Sequence, residues 1–444
     1  MKKYIVLPVL AAAIGLGACS NDDERIFDES AADRLESSKQ TSFDALTADG
    51  GKWALEYFSN TEEPGYLFVV EFRPDKSVTF TTDHKWIGGA EKSETSMFDV
   101  ITDNGIVLTF NTYNTLFHVF SDPADITGPD APTDNGEDID ETGFGHEGDY
   151  EFMMMENDGQ TIRLRGKKHA LNSYIRRLPA DTDVSEYLAH ARALRSQFDS
   201  KRFPTYTMTE TATGKTYDIT GLASGVVSCM PTGSTNPYAQ TETKAVIFTA
   251  AGMRPLTTFD CIRDDNSHFS IPEFTWSDNG LVAPGFVITA PVPGANLVRQ
   301  DLTWELLTDS FSPALEAAFA EANAQTQQIT VTGFGSKPTI TGSSFLFKSK
   351  SGVLTFSYQA KVGKVNFNYY GTIEQTSDST VKIQFTTIDD AIRLYLQPLA
   401  PKSIDFIKML EGDFTLTNKS ALDPSQVTLT SVSNPEVSFT VAVK

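Results

Sequence analysis

From Trp53 onward the chain is built of short apolar runs. WALEYF, YLFVVEF, SVTFTT and GIVLTF are rich in β-branched and aromatic residues and are punctuated by turn residues such as Pro74-Asp75 and Asp103-Asn104-Gly105. This is the texture of strands in an antiparallel sheet. EFMMMEN and QTIRLRG follow, joined by Asn157-Asp158-Gly159, a strong hairpin signal. Strand texture resumes at TYTMTE and TYDITG, runs through AVIFTA to FVITA, and returns in GSSFLFKSKSGVLTFSYQA, KVNFNYYGTIEQ and TVKIQFTT. One or two finishing strands lie between FTLTNK and FTVAVK. Between Asp122 and Gly148 runs a long acidic loop, rich in Pro and Gly, with no apolar period.

Helical spacing is confined to a few places. Phe27, Ala31 and Leu35 recur at helical intervals, with Phe43 and Leu46 continuing the stripe to the Asp49-Gly50-Gly51 breaker. Val184, Tyr187, Leu188, Ala191, Leu194 and Phe198 form a second stripe, and Asp183 with Glu186 has the spacing of a capping box. Ser312-Pro313 suits the N-cap and first turn of a third helix carrying Leu315, Ala318, Phe319 and Ala322 inward.

Two stretches echo each other. GDYEFMMMENDGQTIRLRGKK leads to YIRRLPADTDVSEYL, and VNFNYYGTIEQTSDSTVKIQFTT leads to LYLQPLAPKSIDFIKML: strand, turn, strand, then a short amphipathic helix. MFDVITDNGIVLTFNTY likewise resembles FLFKSKSGVLTFSY. The expected class is mainly β, a β-rich α+β fold of two duplicated antiparallel barrel- or sandwich-like units closed by a few short helices. The expected boundaries are a leader at 1–18, an acidic tether at 19–25, an N-terminal helix with the first β-rich unit at 26–199, and a second β-rich unit with C-terminal strands at 200–444.

Composition agrees with a large folded body: 444 residues, 40% hydrophobic and 11% aromatic, suffice for two or three domains. Lys and Arg total 36 against 58 Asp and Glu, a net charge of -22. That balance repels nucleic acid, whose phosphates need clustered positive charge.

The first residues change the picture. Lys2 and Lys3 precede the apolar run IVLPVLAAAIGL, which is short for a membrane span and right for an export leader. The run ends in LGAC, Leu16 to Cys19, matching the bacterial lipobox, in which cleavage before the cysteine frees it for acylation. Cys19 is therefore expected to become the lipidated first residue of the mature chain, held by two or more acyl chains. Ser20-Asn21-Asp22-Asp23-Glu24 makes a solvated tether and is similar to the acidic tract of surface-exported lipoproteins.

CSNDDERIFDESAADRL, GGKWALEYF, GYLFVVEFRPDKSVTF, GDYEF and IRLRGKK together resemble the Bacteroidetes surface lipoproteins grouped as domain of unknown function 4302. The resemblance covers roughly Asp22 to Leu178; its one departure is the tryptophan following Gly-Gly-Lys instead of a single glycine. It implies a surface lipoprotein of the kind associated with outer-membrane nutrient uptake through SusC- and SusD-type transporters. It carries over no catalytic residue.

Candidate chemistry is sparse. Asp138, Asp140 and Asp149 mimic the spacing of a calcium loop, but the twelfth place is Asp instead of Glu and no flanking helix is expected, so plain solvation is the competing reading. Gly143, Gly145 and Gly148 form a G-x-G-x-x-G in the wrong setting, after an acidic loop and before a strand. His84, His118, His146, His169, His190 and His268 form no zinc motif and read as surface or locally bonded imidazoles. Cys229 and Cys261 are either a disulfide formed in an oxidising compartment or two buried thiols. Basic residues cluster between Arg163 and Arg177, where alternation with Ile162 and Leu164 suits an ordinary half-buried strand, a site for an acidic ligand or a partner's surface being the competing reading. No cofactor motif is present. The expectation is a lipid-anchored, surface-exposed outer-membrane protein, non-catalytic, that assists capture or uptake of a glycan or peptide beside a transporter. A surface hydrolase whose acids meet only in the fold, and an adhesin, are the competing classes.

Overall fold

The computed structural model describes residues 30–122, 146–199, 201–236, 238–239, 243–299, 301–326, 328, 346–350, 353–359, 366–388, 393 and 397–444. The expected leader and tether, with Cys19, and the calcium-loop candidates Asp138 and Asp140 lie outside the described residues.

Helix α1 (Ala31–Thr47) begins at Ser30, whose hydroxyl accepts from the Asp33 amide, and buries Leu46 at its end. It stops at the expected breaker. Gly51 has φ 62°, and a Cβ there would stand 2.0 Å from the Phe72 carbonyl oxygen, so only glycine lets the chain turn straight from the helix into a strand.

Nine antiparallel strands form the first sheet: β1 (Lys52–Tyr57), β2 (Tyr66–Phe72), β3 (Ser77–Thr82), β4 (Lys92–Met97), β5 (Asp99–Thr102), β6 (Ile106–Thr109), β7 (Glu151–Asn157), β8 (Thr161–Gly166) and β9 (Asn172–Arg177). Their order is β4-β3-β2-β1-β9-β8-β7-β6-β5. The two edge strands are separated in the chain by Phe98 alone, so the sheet curls back toward itself around one apolar face. That face holds Trp53, Tyr57, Phe68, Phe72, Phe80, Phe98, Phe110, Phe117 and Phe152. Edge-to-face pairs such as Tyr57–Phe117 at 5.0 Å and Phe80–Phe110 at 5.1 Å fill it.

Helix α2 (Val184–Arg195) carries the expected cap, the Asp183 Oδ1 accepting from the Glu186 amide at 2.9 Å. It leads into a closed barrel made of β10 (Thr205–Glu210), β11 (Thr216–Thr220), β12 (Val226–Pro231), β13 (Lys244–Thr249), β14 (Gly252–Pro255), β17 (Phe274–Ser277), β18 (Gly280–Ala283) and β19 (Phe286–Thr289). Between β14 and β17 the hairpin β15 (Phe259–Ile262) and β16 (His268–Ile271) stands apart as its own ribbon.

A second closed barrel follows: β20 (Trp304–Leu307), β21 (Leu346–Lys350), β22 (Val353–Gln359), β23 (Asn366–Ser377), β24 (Thr380–Ile388), β25 (Gly412–Asn418), β26 (Gln426–Ser431) and β27 (Ser438–Val443), closed by β20 against β27. Its helices are α3 (Pro293–Leu297), α4 (Pro313–Thr326), α5 (Gln397–Leu399) and α6 (Pro401–Met409), with Phe319 of α4 and Phe406 of α6 in ring contact at 5.3 Å. One continuous apolar core runs through both barrels, from Leu194 to Val441. The fold is thus mainly β, made of curled sheets and barrels with few short helices, as the strand texture implies. The echoed sequences both form antiparallel hairpins, β7–β8 and β23–β24, but one belongs to the curled sheet and the other to a closed barrel.

The sheet meets the first barrel along β1 and β2. Ala54, Phe58, Leu67 and Val69 pack with Leu188 and Ala191 of α2 and with Ala245, Ile247 and Leu256 of the barrel. These two strands are therefore buried on both faces, which is why YLFVVEF is a continuous apolar run instead of an alternating one. On the same face Glu56, only 2% exposed, accepts from Arg176 Nε of its own sheet at 3.1 Å and from Arg254 Nη1 of β14. Arg254 also bonds Glu273 at 2.7 Å.

Truncating one partner of a buried ion cluster strands the other charge away from water. Arg254→Met is expected to lower unfolding stability by about 3 kcal/mol in a urea titration. Adding Glu56→Gln to that variant should recover part of the loss, because the buried carboxylate, left with Arg176 as its one cation, is then neutral, while Arg176 is a third exposed and stays hydrated.

Candidate functional site

The loop ahead of β2 builds a buried polar network. Asn60 Oδ1 accepts from the amides of Glu62 and Glu63, both at 2.8 Å, a turn that brings the Glu63 side chain back inward. Glu63 Oε1 accepts from His146 Nδ1 at 2.7 Å and from Asn60 Nδ2 at 3.1 Å, while Oε2 accepts from the Tyr66 hydroxyl at 2.5 Å. Tyr66 in turn accepts from Trp86 Nε1 at 2.7 Å. Burial raises the Glu63 pKa, but the bonds from His146 and Tyr66 outweigh it and hold the carboxyl below its ordinary range. The loop is stitched to the barrel at Gly65, whose amide donates to the Val246 carbonyl at 3.0 Å. A Cβ on Gly65 would stand 2.7 Å from the Ile247 Cβ, so this close approach demands glycine.

His84 sits beside this network, at the start of the one-turn helix Lys85–Ile87. Its Nε2 donates to the Leu116 carbonyl at 2.9 Å, which leaves Nδ1 as a bare acceptor; that nitrogen is buried and has no partner. Phe120 at 4.9 Å, Phe68 at 5.5 Å and Tyr66 at 5.7 Å surround the ring. Burial pushes its pKa down from 6.5 to about 4. His146 is also fully enclosed, tilted on Trp86 at 4.2 Å, with its Nε2 unpartnered. His84, His118 and His146 are thus interior residues, whereas the surface reading suits His190, which is exposed on α2.

Tyr66 and His84 form one wall of a cleft of 350 Å³ between the start of β2, the Asp83–Lys85 corner, α2 and Phe248 of β13. Leu188, Ala191, Arg192 and Arg195 of α2 make the opposite wall. Asp83 Oδ2 holds Arg192 by two bonds, 2.7 Å from Nε and 2.5 Å from Nη2. Arg195 is exposed and makes no ion pair among the described residues. Lys85 Nζ lies over the Trp86 ring at 4.3 Å. A second cleft of 440 Å³, between the barrels, is lined by Gln197, Trp276, Ser277, Asp278 and Lys419 to Leu422, and Ser420 donates to Gln197 there at 2.6 Å. Each of these two clefts is lined by a single carboxylate, Asp83 in one and Asp278 in the other.

The residues singled out from sequence fall elsewhere. Asp149 is buried, and its Oδ1 and Oδ2 accept from the amides of Lys168 and His169 at 2.7 and 3.0 Å. Among the described residues no three His, Cys, Asp or Glu side chains gather in a metal-holding group. Cys229 of β12 and Cys261 of β15 are free thiols buried where the ribbon packs on the first barrel's core; they lie in hydrogen-bond contact, and burial together with that neighbour pushes the Cys261 thiol well up. The basic stretch spans the half-buried strands β8 and β9, and several of its cations are engaged in pairs: Arg163 with Glu156, Arg176 with Glu56, Lys167 with Asp103 and Glu151. Sequence reasoning missed Glu63, Tyr66, Trp86 and Arg195. The turn chemistry of Asn60-x-x-Glu63 was a readable local signal, but its pairing with His146 spans 83 residues of chain.

The Domain of unknown function (DUF4302) family matches residues 23–277, more than half of the chain. This protein belongs to that family. The match takes in the curled sheet, α2, the cleft at the seam and the first barrel through β17. No protein of curated function matches the chain. Among solved structures, the Trp-to-Ala mutant of the vaccine antigen transferrin binding protein B from Haemophilus parasuis Hp5 is 9% identical with a TM-score of 0.14, over 88% of this chain and 75% of that one. A double mutant of the same antigen gives 9% and 0.15, over 88% and 74%. At those scores the likeness bears on neither fold nor ligand. Among the described residues no helix is long and apolar enough to cross a membrane.

His84 makes stability pH-dependent. Its folded pKa lies below its ordinary 6.5, so the unfolded chain takes up the proton first and acid favours unfolding. The contribution is intact above pH 6.5 and is lost as pH falls toward 4, up to about 3 kcal/mol. Urea midpoints measured between pH 7 and pH 4.5 should fall, and His84→Gln, which keeps a donor for the Leu116 carbonyl and does not titrate, should flatten the slope.

Proposed function

We propose that this is a lipid-anchored protein of the outer-membrane surface, a non-catalytic accessory that captures an extracellular nutrient, glycan or peptide, beside a SusC/SusD-type transporter. The observation that carries the capture reading is the cleft at the sheet–barrel seam, 350 Å³ in volume, with a wall held rigid by the Trp86–Tyr66–Glu63–His146 bonds. Small-molecule sites are typically concave, preformed and of this size. Hydrolysis of a glycosidic bond calls for two carboxylates facing one another, and each of the two clefts described above is lined by one.

Location rests on the leader. Cys19, freed by cleavage after LGA and acylated, anchors the chain, and Ser20 to Glu24 separates the body from the lipid. Export passes the chain through an oxidising compartment, where Cys229 and Cys261 lose two hydrogens to an exchange oxidant and join, closing a loop within the first barrel. Such a crosslink stabilises by roughly 3 kcal/mol.

Radiolabelled palmitate should enter the wild-type protein in cells and not Cys19→Ala; equal labelling removes the anchor. Protease applied to intact cells should digest the protein, whereas full protection rejects surface display. Intact mass of protein purified without reductant should rise by two hydrogens on reduction, and an unchanged mass means the barrel thiols stay reduced. Crosslinking in the envelope should recover a transporter subunit with the protein, and recovery of none counts against the uptake assignment.

A further inference from the structure

We propose that the seam cleft binds a small hydroxylated carboxylate, in chemical class an acidic sugar. The inference rests on the capture reading for this same cleft and names its ligand. Charge is the first argument. Lys85, Arg192 and Arg195 line the cleft against Asp83 alone, in a chain whose net charge is -22. Asp83 is already committed to Arg192, so the guanidinium of Arg195, one turn further along α2, is the cation left for a ligand. A guanidinium presents a planar fork that suits a carboxylate.

His84 supplies the complementary polar group. It is 7% exposed, its Nε2 proton is spent on Leu116, and its Nδ1 lone pair has no partner. A buried acceptor of this kind calls for a donor, and neither Tyr66 nor Trp86 supplies one, since the Tyr66 proton goes to Glu63 and the Trp86 proton goes to Tyr66. His84 lines the cleft, and a ligand hydroxyl that displaces the wall covering Nδ1 answers that need. An ammonium would donate too, but the cleft holds no uncommitted carboxylate to balance its charge, so an amino acid fits less well. The shape of the cleft agrees. Leu188, Ala191 and Phe248 offer apolar surface to the C–H face of a sugar ring, and 350 Å³ accommodates one or two such rings. Carboxylate to Arg195, hydroxyl to His84 and ring face to the apolar wall together define the class.

The test is titration of the full mature chain with D-glucuronate, D-glucose and acetate, followed by calorimetry and by tryptophan fluorescence. Glucuronate should bind about tenfold or more tightly than either glucose, which lacks the carboxylate, or acetate, which lacks the hydroxyls. Arg195→Gln, an exposed substitution, should weaken glucuronate about tenfold with an unchanged melting temperature and no effect on glucose. His84→Gln should weaken glucuronate and leave acetate unaffected. Absence of glucuronate binding, equal binding of glucose or acetate, or full affinity in Arg195→Gln overturns the proposal. Deletion of the gene separates it from the uptake reading. Glucuronate binding by the purified protein with normal nutrient uptake in the deletion strain defeats uptake alone, and impaired uptake with no glucuronate binding defeats the ligand class alone.

Discussion

A carboxylate taken almost wholly out of water has to be met by cations, and Glu56 meets two from different parts of the chain. Arg176 comes from the neighbouring strand of the same curled sheet, and Arg254 comes from the first barrel. A pair of this kind adds little net stability over an apolar contact of equal volume, because removing the charges from water costs about what their attraction returns. What it does is select one arrangement. Sliding the sheet against the barrel would leave Glu56 buried without Arg254, so the ion cluster sets the register of an interface that Ala54, Phe58, Leu67, Val69 and Ile247 otherwise hold by non-directional apolar contact.

The cleft follows from that register. Gly65 brings the loop ahead of β2 to within bonding distance of Val246, which places Tyr66 and His84 opposite the exposed end of α2. Helix α2 reaches all three bodies: Leu188 and Ala191 pack between sheet and barrel, and beyond its end Gln197 accepts from Ser420 of the second barrel. The cleft wall does not depend on loop packing alone, because Trp86, Tyr66, Glu63 and His146 form a continuous chain of hydrogen bonds. A wall built in this way is preorganised, and a ligand binding there loses little free energy to ordering it.

The local elements were legible because they depend on neighbours in sequence. The Asp183–Glu186 cap, the Asn157-Asp158-Gly159 turn and the Ser312-Pro313 start all appear where their chemistry places them. Weakly apolar strands such as KSETSM escaped notice, since β4 owes its existence to pairing with β3 and not to its own composition. Nothing in the spacing of the histidines marks them as interior groups, and burial of His84 and His146 comes from aromatic residues that the sheet's curl collects around them.

By itself the sequence determined the β-rich class, the helix caps and the acidic balance, since each depends on residue type and short-range spacing. Tertiary structure alone decided which strands close into barrels and which curl as an open sheet, because antiparallel hairpins serve both and closure depends on which strand meets the last one. It also decided the site. Glu63 and His146, and Glu56 and Arg254, are distant along the chain, and their charges and lone pairs acquire chemical meaning only where packing removes water and brings them together.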